Sequence, residues 1–316
     1  MKKLTYLLSA IATAFTANAY ADISVSGTGG VGFVNDRDND NNMINSATIS
    51  FGMSTTTSGG LGIAASMGLS VSPTSGSNAA TGTGGQQLTF TTGGSTVVVG
   101  DITIADTPGS VGGTVSANTA ENSAITTLVS GGFADDDGSG VSISTGVGGA
   151  TVSIGHVFET AVDSSTNITD STTAATAFGV SVPVAGWTVS FGFAEHDDTA
   201  ESSGGTISGP LGGGTVTAGM GTQTTPATGY SSASATGDAE VVGVTYAYAL
   251  DADTTVSIGY QSKEDQDNDD YTRLDVHASR SLGGGASVYV DMRQVSASDT
   301  SANDGTAFGF GTAVSF

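Results

Sequence analysis

The sequence predicts an all-β fold, a transmembrane antiparallel β-barrel of about sixteen strands. Apolar residues alternate with small or polar residues in segment after segment, and no segment has a convincing helical period. The links between these segments are alternately tight and long. The chain ends in TAFGFGTAVSF, in which Phe308, Phe310, Val314 and Phe316 share one parity and residues too small to form a core occupy the other.

The strands follow from the two-residue period. WTVSFGF places Trp187 and Phe191 on one face, and EVVGVTYAYAL does the same with Val242 and Tyr246. We predict strands at 22–34, 46–55, 61–70, 86–92, 95–100, 139–146, 150–158, 175–184, 186–195, 205–210, 213–222, 239–250, 253–262, 270–282, 286–295 and 306–316. Those near 86–92 and 205–222 are short or interrupted by glycine, so counts of fourteen and eighteen stay open.

The links carry as much information as the strands. Every second link is a tight turn, namely TSGG near 57–60, TGGS at 92–95, GVGG at 146–149, VAGW at 184–187, PLGGG at 210–214, LDADT at 250–254 and LGGG at 282–285. The other links are long and acidic: NDRDNDNN, the stretch after Val71, 101–138, 159–174, 195–204, 223–238, KEDQDNDD and 296–305. Short periplasmic turns and long external loops are typical of membrane β-barrels.

The apolar face is predicted to point outward. A bilayer core offers no water to an unpaired strand edge, so a sheet crosses it only when it is closed. The opposite parity is too small and too polar to pack against a second layer, and it therefore belongs to the interior. Closure requires the last strand to pair with the first, and DISVSG, with Ile23 and Val25, is the candidate partner.

The first 21 residues are predicted to be a signal peptide. Met1 is followed by Lys2 and Lys3, then by an apolar stretch that is too short to span a bilayer as a helix. Small residues at Ala19 and Ala21 favour cleavage after Ala21. Residues 22–316 then form a single β-barrel domain.

Composition excludes several classes of function. The chain has 30 acidic and 7 basic residues, a formal net charge of −23, and signal cleavage removes two of the lysines. Nucleic acid and anionic membrane surfaces are therefore poor partners. The absence of cysteine excludes disulfides and thiolate metal sites.

Taken together, these features resemble general diffusion porins of Gram-negative outer membranes, especially the alphaproteobacterial type. The resemblance rests on the signal, the first strand ISVSGTGGVGF, the seven turns and eight loops, the long link after TVVVGDITIADTPG and the terminal FGTAVSF. It implies a homotrimer of sixteen-stranded barrels in outer-membrane lipid, each with the third loop folded inward as a constriction. It also implies that Phe316 is the signal read by the outer-membrane assembly machinery. The Pro-Glu-Phe-Gly-Gly motif of enterobacterial porins is absent, which leaves the path of the third loop open.

A pore constriction is predicted where acidic and basic residues face each other. The third link, 101–138, carries Asp101, Asp106, Glu121, Asp135, Asp136 and Asp137 and no basic residue. By parity Lys263, Arg273 and Arg293 face the lumen together with Asp275, His277, Tyr289 and Asp291. As in the family, an acidic loop opposite a basic wall would set a transverse field that selects ions. Alternatively, the loop acids are solvated outside the barrel and the cations pair with Asp275 and Asp291.

Three further features have weaker interpretations. Carboxylates at every second position, Asp36, Asp38 and Asp40 and again Asp265, Asp267 and Asp269, are candidate Ca²⁺ ligands or simply solvated loop acids, and such loops are candidates for sharing divalent ions with lipopolysaccharide. Arg280 has the outward parity and is expected beside the LGGG turn, where its charge reaches the membrane interface. His156 also has the outward parity, with a local bulge as the alternative to any function.

Motifs for enzymatic activity lack their structural context. Gly27, Gly29 and Gly32 satisfy G-x-G-x-x-G, but no helical pattern follows, as a dinucleotide site would require. No nucleophile elbow accompanies His156, His196 or His277. We therefore predict no enzyme and no cofactor. Three functions stay open: a passive, cation-preferring channel for small hydrophilic solutes, a substrate-specific channel, and a secreted acidic surface protein.

Overall fold

Sixteen β-strands make up the regular structure of the described residues. The computed structural model describes residues 22–35, 41–71, 80–104, 136–158, 174–196, 200–225, 237–264, 270–297 and 305–316. The strands are β1 (Asp22–Asn35), β2 (Asn41–Thr56), β3 (Gly62–Val71), β4 (Ala80–Thr92), β5 (Ser95–Ile104), β6 (Asp136–Val147), β7 (Ala150–Val157), β8 (Ala175–Val184), β9 (Trp187–His196), β10 (Ala200–Leu211), β11 (Gly214–Thr225), β12 (Gly237–Ala249), β13 (Thr254–Glu264), β14 (Asp270–Gly283), β15 (Ala286–Ala297) and β16 (Gly305–Ser315). The predicted strand number is confirmed. Within the described ranges, no helix is both long and apolar enough to cross a membrane.

Each strand pairs antiparallel with its neighbours in sequence, and β1 pairs with β16, so the sheet closes into a barrel. The predicted closure is confirmed, but of the predicted contact segment DISVSG only Gly27 contacts the end of the chain, through backbone hydrogen bonds to Phe316. The ladder with β16 runs from Thr28 to Asn35, whereas Asp22–Ser26, which contains Ile23 and Val25, pairs with β2 alone. The difference arises because β16 ends opposite the middle of β1, and the first residues of β1 extend beyond it.

The two faces of the sheet differ as the parity predicted. On β16, Phe308, Phe310 and Val314 are exposed on the outer face, whereas Ala307 on the inner face is completely buried. Phe310 also stacks on the outward Phe33 of β1, with ring centroids 5.5 Å apart, across the seam that closes the barrel. Apolar side chains therefore cover the outside, which is the inverse of a water-soluble sandwich.

Tight turns join the strands at one end, which we call the tight-turn end. The turns after β4, β6 and β10 each consist of two glycines with positive φ, for example Gly93 and Gly94 at 55° and 82°. Two successive residues of positive φ match the twist of a β-hairpin, and only glycine adopts them without strain. All seven predicted turns are confirmed.

The opposite end, the long-link end, differs from prediction because the strands are longer there. β4 begins at Ala80 instead of 86, and β10 spans Ala200–Leu211 instead of 205–210. The link predicted at 195–204 consequently shrinks to 197–199. Glycine and hydroxyl residues such as those of AESSGG look like loop residues in the sequence, but here they pair with both neighbouring strands, β9 and β11.

Candidate functional site

The barrel interior changes character along its axis. At the tight-turn end the inner face is open: Ser24 and Ser26 on β1 and Ser315 on β16 are exposed. Towards the long-link end the inner residues of the same two strands, Val34 and Ala307, are buried. The candidate site is therefore the buried half of the interior.

A cluster of charged side chains lies in this half, on β14 and β15. We call it the charged wall and define it as Arg273, Asp275, His277, Asp291 and Arg293. The antiparallel register places Asp275 directly opposite Arg293, and His277 directly opposite Asp291. Successive side chains of a strand point to opposite faces of the sheet, and these five residues have the inward parity. Each therefore lies on the same face as its cross-strand partner.

Asp275 contacts both arginines of the wall. Its Oδ2 accepts a hydrogen bond from Arg273 Nε at 2.6 Å, and its Oδ1 accepts one from Arg293 Nε at 2.9 Å. All three side chains are at most 4% exposed. Charge-assisted hydrogen bonds of this kind are strong, and removal of one partner from a buried ion pair leaves an uncompensated charge.

The next layer of the wall joins His277 to Asp291 through a short contact between Nδ1 and Oδ1. Tyr289 lies beside them, with its ring 6.5 Å from the His277 ring and nearly parallel to it. The phenol also stands over Gly311 of β16, where a Cβ atom would clash with the tyrosine oxygen. Glycine at position 311 thus provides the space into which Tyr289 fits.

Both arginines of the wall pair with Asp275, as the alternative interpretation of the sequence expected. Asp291, by contrast, contacts His277. Gln261 of β13, opposite Arg273 in the register, adds a buried amide to the same wall, and the sequence analysis did not select it. Its inward parity was readable from the sequence, but an uncharged side chain gave no reason to choose it over its neighbours.

The acidic residues predicted for the third loop have different locations. Asp101 lies on β5 and has the same parity as Val97 and Val99. It therefore belongs to the outer face, on which Val99 is exposed. Asp136 and Asp137 are residues of β6, paired with Ile104 and Thr103 of β5. The predicted loop, 101–138, was thus too long at both ends. Asp106, Glu121 and Asp135 lie outside the described residues.

Lys263 lies on β13 opposite Tyr271, close to the charged wall in the register. The candidate calcium ligands Asp36, Asp38, Asp40, Asp265, Asp267 and Asp269 and the predicted signal peptide lie outside the described residues. Among the described residues, no three His, Asp or Glu side chains gather as they would around a metal ion.

Across the interior from the charged wall lies an apolar patch, which the sequence analysis missed. Its buried side chains come from β5 and from β7 to β9, and they are Ile102, Val157, Ala175, Ala177 and Ala194. Ala177 and Ala194 are cross-strand partners, and Ile102 packs beside Val98. Alanine at inward positions was available as a signal, but the same residue type also occurs in loops throughout this chain.

Two outward residues lie at opposite ends of the barrel. Arg280 lies at the tight-turn end, where its guanidinium contacts Asp251 Oδ2 at 3.2 Å and Thr254 Oγ1 at 2.6 Å. Its predicted position beside a turn is confirmed. His156 bonds to Thr176 Oγ1 at 2.8 Å, and β7 keeps a continuous register around it, so the local bulge offered as an alternative is absent.

The charges and the small side chains of the interior occupy different parts of the barrel. The wall contains two arginines and two aspartates, so its formal charges cancel when His277 is neutral. The open part of the interior is lined by small hydroxyl side chains, which hydrate well and occupy little space. Hydroxyl groups and fixed charges are the groups that line water-filled channels.

Comparison with solved structures yields porins. The porin of Rh. blastica, in a multiply substituted variant, is 19% identical, with a TM-score of 0.65 and coverage of 93% of this chain and 100% of that chain. Salmonella typhi OmpF in complex with daunomycin is 12% identical, with a TM-score of 0.72 over 93% and 97%. OmpT of Vibrio cholerae, in a trimer form, is 13% identical, with a TM-score of 0.70 over 94% and 99%. At these identities the likeness concerns the fold.

The sequence comparisons decide the family. No curated protein sequence matches the chain significantly. The family model described as Gram-negative porin matches residues 7–300, which is nearly the full length. With a closed sixteen-stranded barrel that is apolar outside and polar within, the chain belongs to the Gram-negative porin family, whose members are channels of the outer membrane.

Proposed function

We propose that this porin conducts small hydrophilic solutes and ions passively and prefers cations. The observation that carries the proposal is the inverted barrel: an apolar outer face and a hydroxyl-rich inner face that is open at the tight-turn end. No energy source or large conformational change is needed for diffusion through such an interior. The secreted surface protein of the sequence analysis would instead bury its apolar face.

Charge supports the cation preference. The charged wall is balanced, so it contributes little net potential. The rest of the chain is strongly acidic, with 30 acidic residues against 7 basic ones in the full sequence. Fixed negative charge raises the local concentration of cations, and salt screens the effect over about 8 Å at physiological ionic strength.

Planar-bilayer recording tests both parts of the proposal. The purified protein, refolded in detergent, is expected to give discrete conductance steps, and a KCl gradient is expected to give a reversal potential of the sign for a cation-selective pore. Absence of steps from a correctly folded barrel would reject the channel. An anion-selective reversal potential would reject the charge argument and leave the channel intact.

The same recording separates general diffusion from a substrate-specific channel. A general pore conducts in proportion to solute concentration, whereas a specific channel saturates and is blocked by its own solute. We expect proportional conductance, because the inner residues of the open half are small side chains such as Ser24, Ser26 and Thr255. Saturation by one class of solute would favour the specific channel.

The remaining proposals concern assembly. We propose cleavage after Ala21, which would leave Asp22, the first residue of β1, as the new N-terminus. The trimer form of OmpT supports a homotrimer, and conductance steps that appear in threes would test it. Outer-membrane lipid and lipopolysaccharide are the proposed surroundings, and the assembly machinery is the proposed reader of Phe316.

A further inference from the structure

A groove with a volume of about 760 Å³ lies on the outer face of the barrel, over β10. In the register, Gly205 of β10 lies between Phe191 of β9 and Met220 of β11. The two flanking side chains are 60% and 61% exposed and form ridges, whereas glycine provides a floor without a side chain. Ala218 continues the floor on β11. A concave, mostly apolar surface of this size is typical of sites for small ligands.

The groove extends along β10 from Ile207 to Ser203, towards the long-link end. Four residues of strand span about 13 Å, which is close to the roughly 15 Å of hydrocarbon in one leaflet of a bilayer. The end at Ser203 is polar, because Ser203 Oγ and Thr222 Oγ1 form a hydrogen bond of 3.1 Å. An apolar groove that ends in hydroxyl groups suits an amphiphile, with its chain in the groove and its headgroup at the hydroxyls.

Exposed glutamates surround the polar end of the groove. Glu201 lies two residues beyond Ser203 on β10 and has the same outward parity. On β12, Glu240 is the register partner of Thr222. Like charges directly opposite each other destabilise a sheet, and the register forms two such pairs here, Glu195 with Glu201 and Glu240 with Glu264. A headgroup that carries a positive charge therefore complements this end of the groove.

A second copy of the chain does not supply that charge. Lys263 is the one basic residue in the sequence of β9 to β13, and it has the inward parity. Among the described residues with outward parity, Arg280 is basic, but it lies at the tight-turn end beside Asp251. An anionic lipid would add negative charge to the glutamates. A lipid with an amine in its headgroup supplies the missing positive charge.

We propose that this groove is a binding site for a single lipid with an acyl chain and an amine-bearing headgroup. The acyl chain lies over Gly205, between the ridges of Phe191 and Met220. The ammonium group lies beside Glu201, next to the hydroxyl of Ser203. The site depends on contact of the outer face with lipid and is independent of conduction through the barrel.

Lipid retention measured by native mass spectrometry tests the site. The protein is refolded in detergent, checked for the heat-dependent gel migration of a closed barrel, and given phosphatidylethanolamine or phosphatidylglycerol with the same acyl chains. We expect the wild type to retain phosphatidylethanolamine about fivefold more strongly, the effect of about one additional charge contact at a membrane surface.

Two variants fill the groove. Gly205→Leu places a side chain on its floor, and Ala218→Leu narrows it from β11, which keeps the test available if one of them does not fold. Each is expected to weaken the retention of phosphatidylethanolamine about tenfold, because the new side chain displaces methylene groups of the acyl chain. Ala278→Leu is the matched control. It adds the same side chain at an outward position of β14, opposite the exposed Val290, and should retain lipid like the wild type.

A further variant tests the headgroup. Glu201→Gln is expected to lower the preference for phosphatidylethanolamine over phosphatidylglycerol about fivefold, to near equality, while the acyl chain still binds. Asp251→Asn removes an exposed carboxylate at the opposite end of the barrel and should leave the preference unchanged.

Three outcomes would overturn the proposal. The first is equal retention of lipid by the wild type and both groove variants, which would show that no lipid occupies the groove. The second is a wild-type preference for phosphatidylglycerol, with or without Mg²⁺, which would show that the headgroup is anionic. The third is a dimeric species that Gly205→Leu abolishes, which would identify a second copy as the occupant. Wild-type barrels that bind the lipid but give no conductance steps would overturn the proposed function instead.

Discussion

Phe316 and Gly27 close the barrel by exchanging two backbone hydrogen bonds. Gly27 N donates to Phe316 O at 3.1 Å, and Phe316 N donates to Gly27 O at 3.0 Å. The phenyl ring lies directly over Gly27, and a Cβ atom at that position would clash with ring atom Cζ. The terminal aromatic residue thus covers a site on β1 that only glycine leaves open.

A side chain at position 27 is expected to weaken the seam. Gly27→Val forces the Phe316 ring aside, and overpacking of this kind costs about 1–3 kcal/mol. The temperature at which the closed barrel converts to the slowly migrating unfolded form should fall. Gly146→Val is the control, because a Cβ atom at Gly146 of β6 meets nothing within 4 Å. Equal effects of the two substitutions would show that steric conflict with Phe316 is not the cause. The double variant Gly27→Val with Phe316→Ala should recover part of the lost thermal stability.

A lysine on the outer face is expected to be far more harmful than one on the inner face. Val244 of β12 is exposed outside, whereas its neighbour Thr245 faces the interior. Val244→Lys places a charge against lipid, at a cost of about 2–4 kcal/mol near the midplane. We expect its folding yield in lipid vesicles to fall sharply, while Thr245→Lys folds with nearly wild-type yield. Equal yields would contradict the assignment of faces.

Trp187 provides a spectroscopic test of the outer face. It is the single tryptophan of the chain, and its ring lies over Gly209 of β10 on the neighbouring strand. Because it begins β9 at the tight-turn end, we expect its fluorescence to be quenched most by bromine placed near the headgroups and less by bromine near the bilayer centre. Gly209→Ala, whose new methyl group would clash with carbons of the Trp187 ring, should shift the emission maximum. Quenching by an aqueous quencher alone would place the ring inside the barrel.

The turn after β12 is expected to show a pH dependence. Asp251 accepts a hydrogen bond from Asp253 N at 2.8 Å, and this bond, with further contacts to Thr254 and Arg280, lowers the pKa of Asp251 below its ordinary value of 3.8. A lowered pKa means that the ionised carboxylate stabilises the fold at neutral pH and that this contribution is lost as the pH falls below 3.8. The unfolding midpoints of wild type and Asp251→Asn should therefore differ slightly at pH 7 and converge in strong acid. A difference that grew on acidification would have the wrong sign.

Much of the barrel was readable from local sequence. The two-residue period set the outward face of β9 and β12, and glycine pairs such as Gly148–Gly149 fixed the turns, because each depends only on neighbouring residues. The strand ends at the long-link end were misjudged. There AESSGG of β10 and the residues around Asp136 of β6 extend the strands. Their pairing depends on hydrogen bonds to the adjacent strand, and the intrinsic strand propensity of the residues does not reveal it.

The candidate site was predicted in part for the same reason. Parity placed Arg273, Asp275 and Arg293 on one face, but it did not reveal that one carboxylate serves both arginines. It also gave no reason to single out Gln261 or the alanines of the apolar patch, because small and uncharged side chains acquire a role only from what lies opposite them.

The sequence by itself therefore determined the inversion of this protein, apolar outside and polar within, because the alternation of side chains along a strand is a local property. The register across neighbouring strands was decided by the tertiary structure alone. That register brings Arg293 opposite Asp275 and Gly27 beneath Phe316, and it depends on pairing between residues that are 18 and 289 positions apart in the chain.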